Sequence, residues 1–174
     1  MPSPKRSSKA KSSKSRNILG KLKVTAVATT RNLNDMDMST LIKTDSNFRL
    51  FRKALRLADL TDLLFKDSYT VFAPTDAAFM ALGDPVVDFL FKKENNKILR
   101  EVLLYHFTPK IYSFSSLYTL TTVPTLLDVR LPIDVIDITL GDIRLSDGVV
   151  HVVSDLLIPD YILSIIPSTT TIII

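Results

Sequence analysis

Up to about residue 109 the apolar residues of this chain recur at helical spacing; beyond residue 110 they come in β-branched runs broken by turn signals. That change of period constrains the fold more than any other feature, because a helix repeats its inward face every 3.6 residues and a strand every two. Phe48, Phe51 and Leu55 share one helical face behind a Ser46-Asn47 cap, and Leu60, Leu63, Leu64 and Phe65 continue the apolar surface. Tyr69–Phe72 is a short β-rich run stopped by Pro74, and Thr75 or Asp76 then starts a brief helix through Phe79 and Leu82. Pro85 suits the first turn of a helix over 85–92. Asn95 or Asn96 caps another, through Ile98, Val102, Leu103 and Tyr105–His106, which ends before Pro109. Leu126–Val129, Ile133–Leu140, Ile143–Leu145 and Val149–Val153 read as strands divided by Pro132, Gly141-Asp142 and Asp147-Gly148. Helices first and strands after predict an α+β domain rather than a series of βαβ units.

The formal charge of +4 has to be divided before it means anything. Residues 1–23 hold eight Lys or Arg and no acid, while the remainder holds 14 basic against 18 acidic residues. A tail of +8 on a body of −4 is not the balance of a basic nucleic-acid-binding fold. The start, MPSPKRSSKAKSSKSR, has too little apolar surface to offset its ordering entropy. The expected organisation is therefore a disordered basic leader over 1–23, a linker over 24–37, an ordered domain over 38–160 and an apolar tail over 161–174. The leader admits three readings: a solvated segment, a nuclear signal, or a contact for nucleic acid or acidic lipid. The apolar residues Ile18–Leu19 and Leu22–Val27 are broken by Gly20, Lys21 and Lys23, a poor match to the apolar core of a secretory signal.

Several chemistries are excluded by what the chain lacks. Without cysteine there is no disulfide, thiolate metal site or thiol catalysis. Four glycines at 20, 83, 141 and 148 make neither phosphate-cradling motif, and no run of about 18 apolar residues exists to span a membrane. His106 and His151 are the only histidines, too few for a two-histidine metal site without further ligands, and they read as hydrogen-bonded core or near-core residues. His151, Ser154 and Asp155 contain the side chains of a hydrolytic triad, but neighbours on a strand alternate faces and do not converge. The expectation is no catalytic residue, no metal and no cofactor.

Three segments, in order, resemble the boxes of a fasciclin-type domain of the periostin and keratoepithelin kind. Residues 70–79, TVFAPTDAAF, are similar to its opening box, in which Thr70, Phe72, Pro74, Thr75 and Phe79 frame a strand running into a helix. Leu103–His106, followed by Pro109, Lys110, Tyr112, Leu117 and Pro124–Leu126, is similar to its tyrosine–histidine segment. Residues 147–159, DGVVHVVSDLLIP, are similar to its closing Asn-Gly-x-x-His box, with Asp147 in the place of the asparagine. Here Asp147-Gly148 is expected to supply the positive φ of a tight hairpin, and Val149, His151 and Val153 to share one face of the next strand.

The resemblance implies a fold and a function. The fold is a wedge of two β-sheets, sandwich-like, with a layer of short α-helices. The function is a non-enzymatic adhesion or matrix-interaction module, extracellular or at the cell surface, whose partner is a surface receptor or a matrix protein, with self-association a further option. In animal matrix members an Asp-Ile pair before the closing box is associated with integrin binding, and Asp142 and Ile143 occupy that place. The tyrosine–histidine segment, carried here by Tyr105 and His106, is linked to the same contact. An exposed Asp142 carboxylate would complete the coordination of a receptor-held divalent cation. Equally, Asp142 after Gly141 is a turn residue and Ile143 a core residue. The interval from His106 to His151, 45 residues, is shorter than the family pattern. Two other functions stand beside adhesion: a carrier of an apolar, carotenoid-like molecule, and an intracellular protein whose leader contacts nucleic acid non-specifically.

Overall fold

The helical layer follows from local signals. A computed structural model describes residues 31–65 and 69–167; the expected leader, residues 24–30 of the expected linker and residues 168–174 of the expected tail lie outside them. In chain order the elements are β1 (Arg31–Leu33), α1 (Met38–Thr44), α2 (Arg49–Leu57), β2 (Tyr69–Pro74), α3 (Asp76–Met80), α4 (Asp84–Phe91) and α5 (Asn96–Leu104). There follow β3 (Phe107–Thr108), α6 (Phe114–Leu117), β4 (Thr122–Val123), β5 (Leu131–Pro132), β6 (Ile138–Leu145), β7 (Gly148–Val153) and α7 (Asp160–Leu163). Asp37, Thr75 and Ser113 cap α1, α3 and α6 by accepting from the amides of Thr40, Ala78 and Ser116.

Thr75 and Asp76 divide the capping work that the sequence leaves open between them. Thr75 serves its own helix, while Asp76 reaches across to α2, where Oδ1 accepts from Leu50 N at 2.7 Å and Oδ2 from Arg49 Nε at 2.9 Å. We expect Asp76→Ala to cost about 1–2 kcal/mol through the lost cap. Arg49→Ala should cost less than about 0.5 kcal/mol, since an ion pair whose arginine is two-thirds exposed is screened by water. Urea midpoints of the two variants would separate the cap from the ion pair.

The main sheet has the order β1-β6-β7-β2-β3, and β4 and β5 form a second, two-stranded sheet. β2 runs parallel to β7 over six residue pairs, Tyr69↔Gly148 through Pro74↔Val153. β6 and β7 form an antiparallel hairpin, and β1 lies parallel to β6. Both faces of the main sheet are covered, so its central strands are apolar on both sides. Val71, Ala73, Val150 and Val152 join Phe51, Leu55, Phe79 and Leu103 under the helices. Phe72 and Val153 face the other way, with Ile138, Leu117, Val123 and Leu131. The alternation expected of β7 is present, with His151 stacked on Phe72 and Val153 on the same side.

Several expectations are corrected. Order does not begin near Met38: β1 already pairs with β6, although its three residues are too few to carry a period. Leu126–Val129 is a turn, with Asp128 at φ 62°, and Ile133–Val135 is a single 3-10 turn. Gly141-Asp142 does not divide two strands but is an irregularity inside β6, where the register to β7 shifts. The expected tail begins inside the domain, since α7 buries Ile162 in the main core. Gly148 does not have a positive φ; among the described glycines only Gly83 does. It is needed for close approach instead, because a Cβ there would stand 2.4 Å from the carbonyl oxygen of Tyr69.

Candidate interaction site

Lys110–Phe114 is tied to three adjacent strands by one side chain from each. From β2, the Thr70 hydroxyl donates to Lys110 O at 2.7 Å and accepts from Tyr112 N at 2.8 Å. From β7, His151 Nε2 donates to Tyr112 O at 2.9 Å, while Nδ1 accepts from Asp142 N at 3.2 Å. From β6, Asp142 Oδ1 accepts from Phe114 N at 2.8 Å. The Asp142 amide can only donate, so Nδ1 must be bare and the ring neutral with its proton on Nε2. Burial pushes the His151 pKa below its ordinary value, partly opposed by the Tyr112 carbonyl and the Asp142 charge.

His106 does the same service at the end of α5 with the opposite tautomer. Its Nδ1 donates to Val102 O at 2.8 Å and its Nε2 accepts from Leu157 N at 3.0 Å. Burial holds its pKa down to about 4, the Val102 hydrogen bond opposing. Next to it, Tyr105 is buried with its hydroxyl donating to Arg130 O at 3.3 Å.

The four residues expected to meet a partner are thus interior. Asp142 is 9 % exposed, Ile143 3 %, Tyr105 6 % and His106 fully buried. The exposed Asp142 carboxylate is corrected. One of its oxygens, Oδ1, is spent on Phe114 N, and the residue, with its backbone at φ 53°, is buried. Of the four, Tyr105 reaches a surface groove, and His106 bears on it only through Leu157. Tyr105 and Leu157, the latter held by His106, line this groove of about 610 Å³. Around it Val135, Leu163 and Tyr161 stand 53 %, 51 % and 46 % exposed, with Val129 beside them. Its charged groups are Arg130, Asp155 and Asp160. α7 is held in place by the Tyr161 hydroxyl, which donates to Glu101 Oε2 at 2.8 Å.

Sequence reasoning missed this groove. Val129 and Val135 fall in segments that read as strands, and Tyr161 and Leu163 in the segment that reads as an apolar tail. No periodicity signals that the four converge, because they come from a turn, a 3-10 turn and a four-residue helix. Among the described residues no cluster of three or more His, Asp or Glu is placed to hold a metal ion, and no helix is long and apolar enough to cross a membrane.

Comparison with known proteins agrees with the three boxes. A family model described as the Fasciclin domain matches residues 46–159. Protein sll1483 of Synechocystis is 30 % identical over 124 residues, covering 66 % of this chain and 69 % of that protein. Human periostin is 29 % identical over 130 residues, 68 % of this chain but only 15 % of periostin. The rabbit transforming growth factor-beta-induced protein ig-h3 is 29 % identical over 129 residues, 68 % of this chain and 19 % of its own length. In three dimensions the chain is similar to a FAS1 domain pair from the insect cell adhesion molecule fasciclin I, with a TM-score of 0.65 at 17 % identity. That match covers 74 % of this chain and 52 % of the other.

Proposed function

The chain belongs to the fasciclin domain family, and on that footing we propose that it is a non-enzymatic adhesion module, outside the cell or at its surface. It binds a receptor or matrix protein through the groove between Val135 and Leu163. The observation that carries this reading is the convergence of four exposed apolar side chains on one groove whose floor includes Tyr105. Exposed apolar side chains scattered singly need no explanation, whereas a cluster bordered by polar groups marks an interaction site. A tyrosine at the base of a largely apolar pocket is a common anchor of such contacts. With Asp155 and Asp160 against Arg130, the groove favours a partner segment that places an apolar side chain between basic ones. His106, which accepts from the Leu157 amide, acts beneath the contact as a positioning residue.

Attachment of cells to surfaces coated with the full chain tests this. Val135→Glu/Leu163→Glu puts two like charges into an apolar contact, and attachment should fall about tenfold or more. Asp142→Asn keeps the side-chain oxygen that Phe114 N needs, so attachment should survive it and should survive EDTA. Loss with EDTA and with Asp142→Asn, but not with the groove variant, would move the contact to the β6 hairpin. No attachment above that of an unrelated domain of equal charge would overturn the adhesion reading itself.

A further inference from the structure

Net charge averaged over the body conceals a segregation that the fold creates. Of the 14 basic residues in 24–174, eight fall in two segments, 49–56 and 92–100, which contain a single acid, Glu94. The fold brings these segments together. Asn96 Nδ2 donates to Leu57 O at 3.0 Å, and Arg100 Nη1 donates to Ala58 O at 2.7 Å, so the end of α2 meets the start of α5. Between them lies a hollow of about 350 Å³ lined by Arg56, Leu57, Phe91, Lys92 and Lys93, with Asp59 as its acid. It shares no residue with the apolar groove. Arg56, Lys92 and Lys93 are exposed, and among the described residues their cationic groups have no hydrogen-bond or ion-pair partner. Lys53 adds its ammonium 4.9 Å from the centre of the Phe91 ring, and Lys97 lies in the first turn of α5.

We propose that this hollow binds a sulfated polysaccharide chain. Cations unpaired within a mildly acidic body, gathered where two helices meet, are arranged to attract an external polyanion. The shape selects among polyanions. The hollow is concave and small, with room for a sugar-sized group against Leu57 and Phe91 while the surrounding cations meet sulfates on either side. A lipid surface calls for apolar side chains that project from a basic face. Here Phe91 is half-buried beneath Lys53, leaving Leu57, 40 % exposed, by itself. Single-stranded nucleic acid calls for a series of exposed rings on which successive bases stack, whereas this hollow has one ring, Phe91, half-buried beneath Lys53.

The test measures binding of the full chain to heparin, a sulfated polysaccharide, against de-sulfated heparin, phosphatidylserine vesicles and duplex DNA at equal ionic strength. The +8 leader is present in every variant and contributes equally to each. Arg56→Glu/Lys92→Glu/Lys93→Glu should weaken heparin binding about tenfold or more and flatten its salt dependence by about two to three in the logarithmic slope. The control Lys110→Glu/Arg144→Glu should leave both within about twofold, and Lys92→Arg/Lys93→Arg should retain binding. Unchanged thermal unfolding of the triple variant keeps its loss from being read as misfolding. If that variant binds heparin as the wild type does, or the wild type binds de-sulfated heparin equally, the proposal is overturned. It is overturned equally if vesicles or DNA bind more tightly than heparin and lose that binding in the same triple variant.

Discussion

Gly148→Ala is expected to destabilise the domain by about 3 kcal/mol, and Gly141→Ala by about 1 kcal/mol. The two glycines sit seven residues apart on one hairpin, and simple propensity treats them alike. Their surroundings do not. A Cβ at Gly148 would lie 2.4 Å from the Tyr69 carbonyl oxygen, a backbone atom held by the parallel β2·β7 ladder, and 3.0 Å from Met38 Cε. The carbonyl cannot retreat without breaking the first pair of that ladder. Nor can the turn shift freely, because the Asp147 carboxylate beside it accepts from Met38 N at 2.9 and 3.1 Å and so anchors the start of α1. At Gly141 the nearest atoms all belong to the Phe114 ring and its Cβ, the closest at 3.0 Å, and a ring gives way by a small rotation. Equilibrium urea unfolding measures both; equal costs would mean that β2 and β7 are not held at the spacing described.

The second expected result is a steep loss of stability between pH 6.5 and about pH 4. His106 and His151 are both held neutral, with pKa values pushed below the ordinary 6.5, His106 to about 4. Each uses one ring nitrogen as an acceptor from a backbone amide, Leu157 N and Asp142 N, and a protonated ring has no acceptor to offer. In the unfolded chain both rings take up a proton below pH 6.5, and in the fold they do not. Stability is therefore complete above pH 6.5 and falls as the pH descends toward the folded-state values. His106 contributes about 3 kcal/mol across that interval, at a slope of up to about 1.4 kcal/mol per pH unit, and His151 adds in the same direction. Asp37, whose pKa is lowered chiefly by its hydrogen bonds to Thr40, acts in a separate window, its contribution being lost only below the ordinary aspartate value of 3.8. Unfolding free energies at pH 7, 6, 5 and 4.5 should show the slope. His106→Gln should be less stable at pH 7, by about 2–4 kcal/mol, yet less sensitive to acid. A wild-type stability flat from pH 7 to pH 4.5 would contradict the neutral, buried state of both rings.

The helical half was legible because its signals are local. Thr75 caps α3 through an amide three residues away, and Pro85 sits in the first turn of α4 as its fixed φ allows. The fasciclin boxes were legible for a related reason, since each is a contiguous segment that carries its own strand, turn or cap. Errors gathered where a residue's role is set by a distant segment. Leu126–Val129 has the composition of a strand, but it turns because Leu126 N is taken by Phe107 O and Thr125 Oγ1 by Val129 O. Asp142 reads as a turn residue offering its carboxylate to solvent until Phe114 arrives over Gly141, 28 positions away, and claims the oxygen.

By itself the sequence determined the α+β class, the Thr75 cap of α3, the interior character of both histidines and the kinship with fasciclin domains. These depend on periodicity and on hydrogen bonds reaching only a few residues along the chain. The caps it offered at Ser46-Asn47 and Asn95-Asn96 are not made. Tertiary structure alone decided which residues reach the surface and which meet there. It took Asp142 and Ile143 inside, made Gly148 a matter of close approach rather than of turn conformation, and drew Val129, Val135, Tyr161 and Leu163 to one groove. It also brought together two segments that carry eight cations of an acidic body. The physical reason is common to all four. Burial, close approach and local charge are properties of where separate segments lie in space, and the contacts that fix them here span 28, 51 and 109 positions of the chain, far beyond any local period.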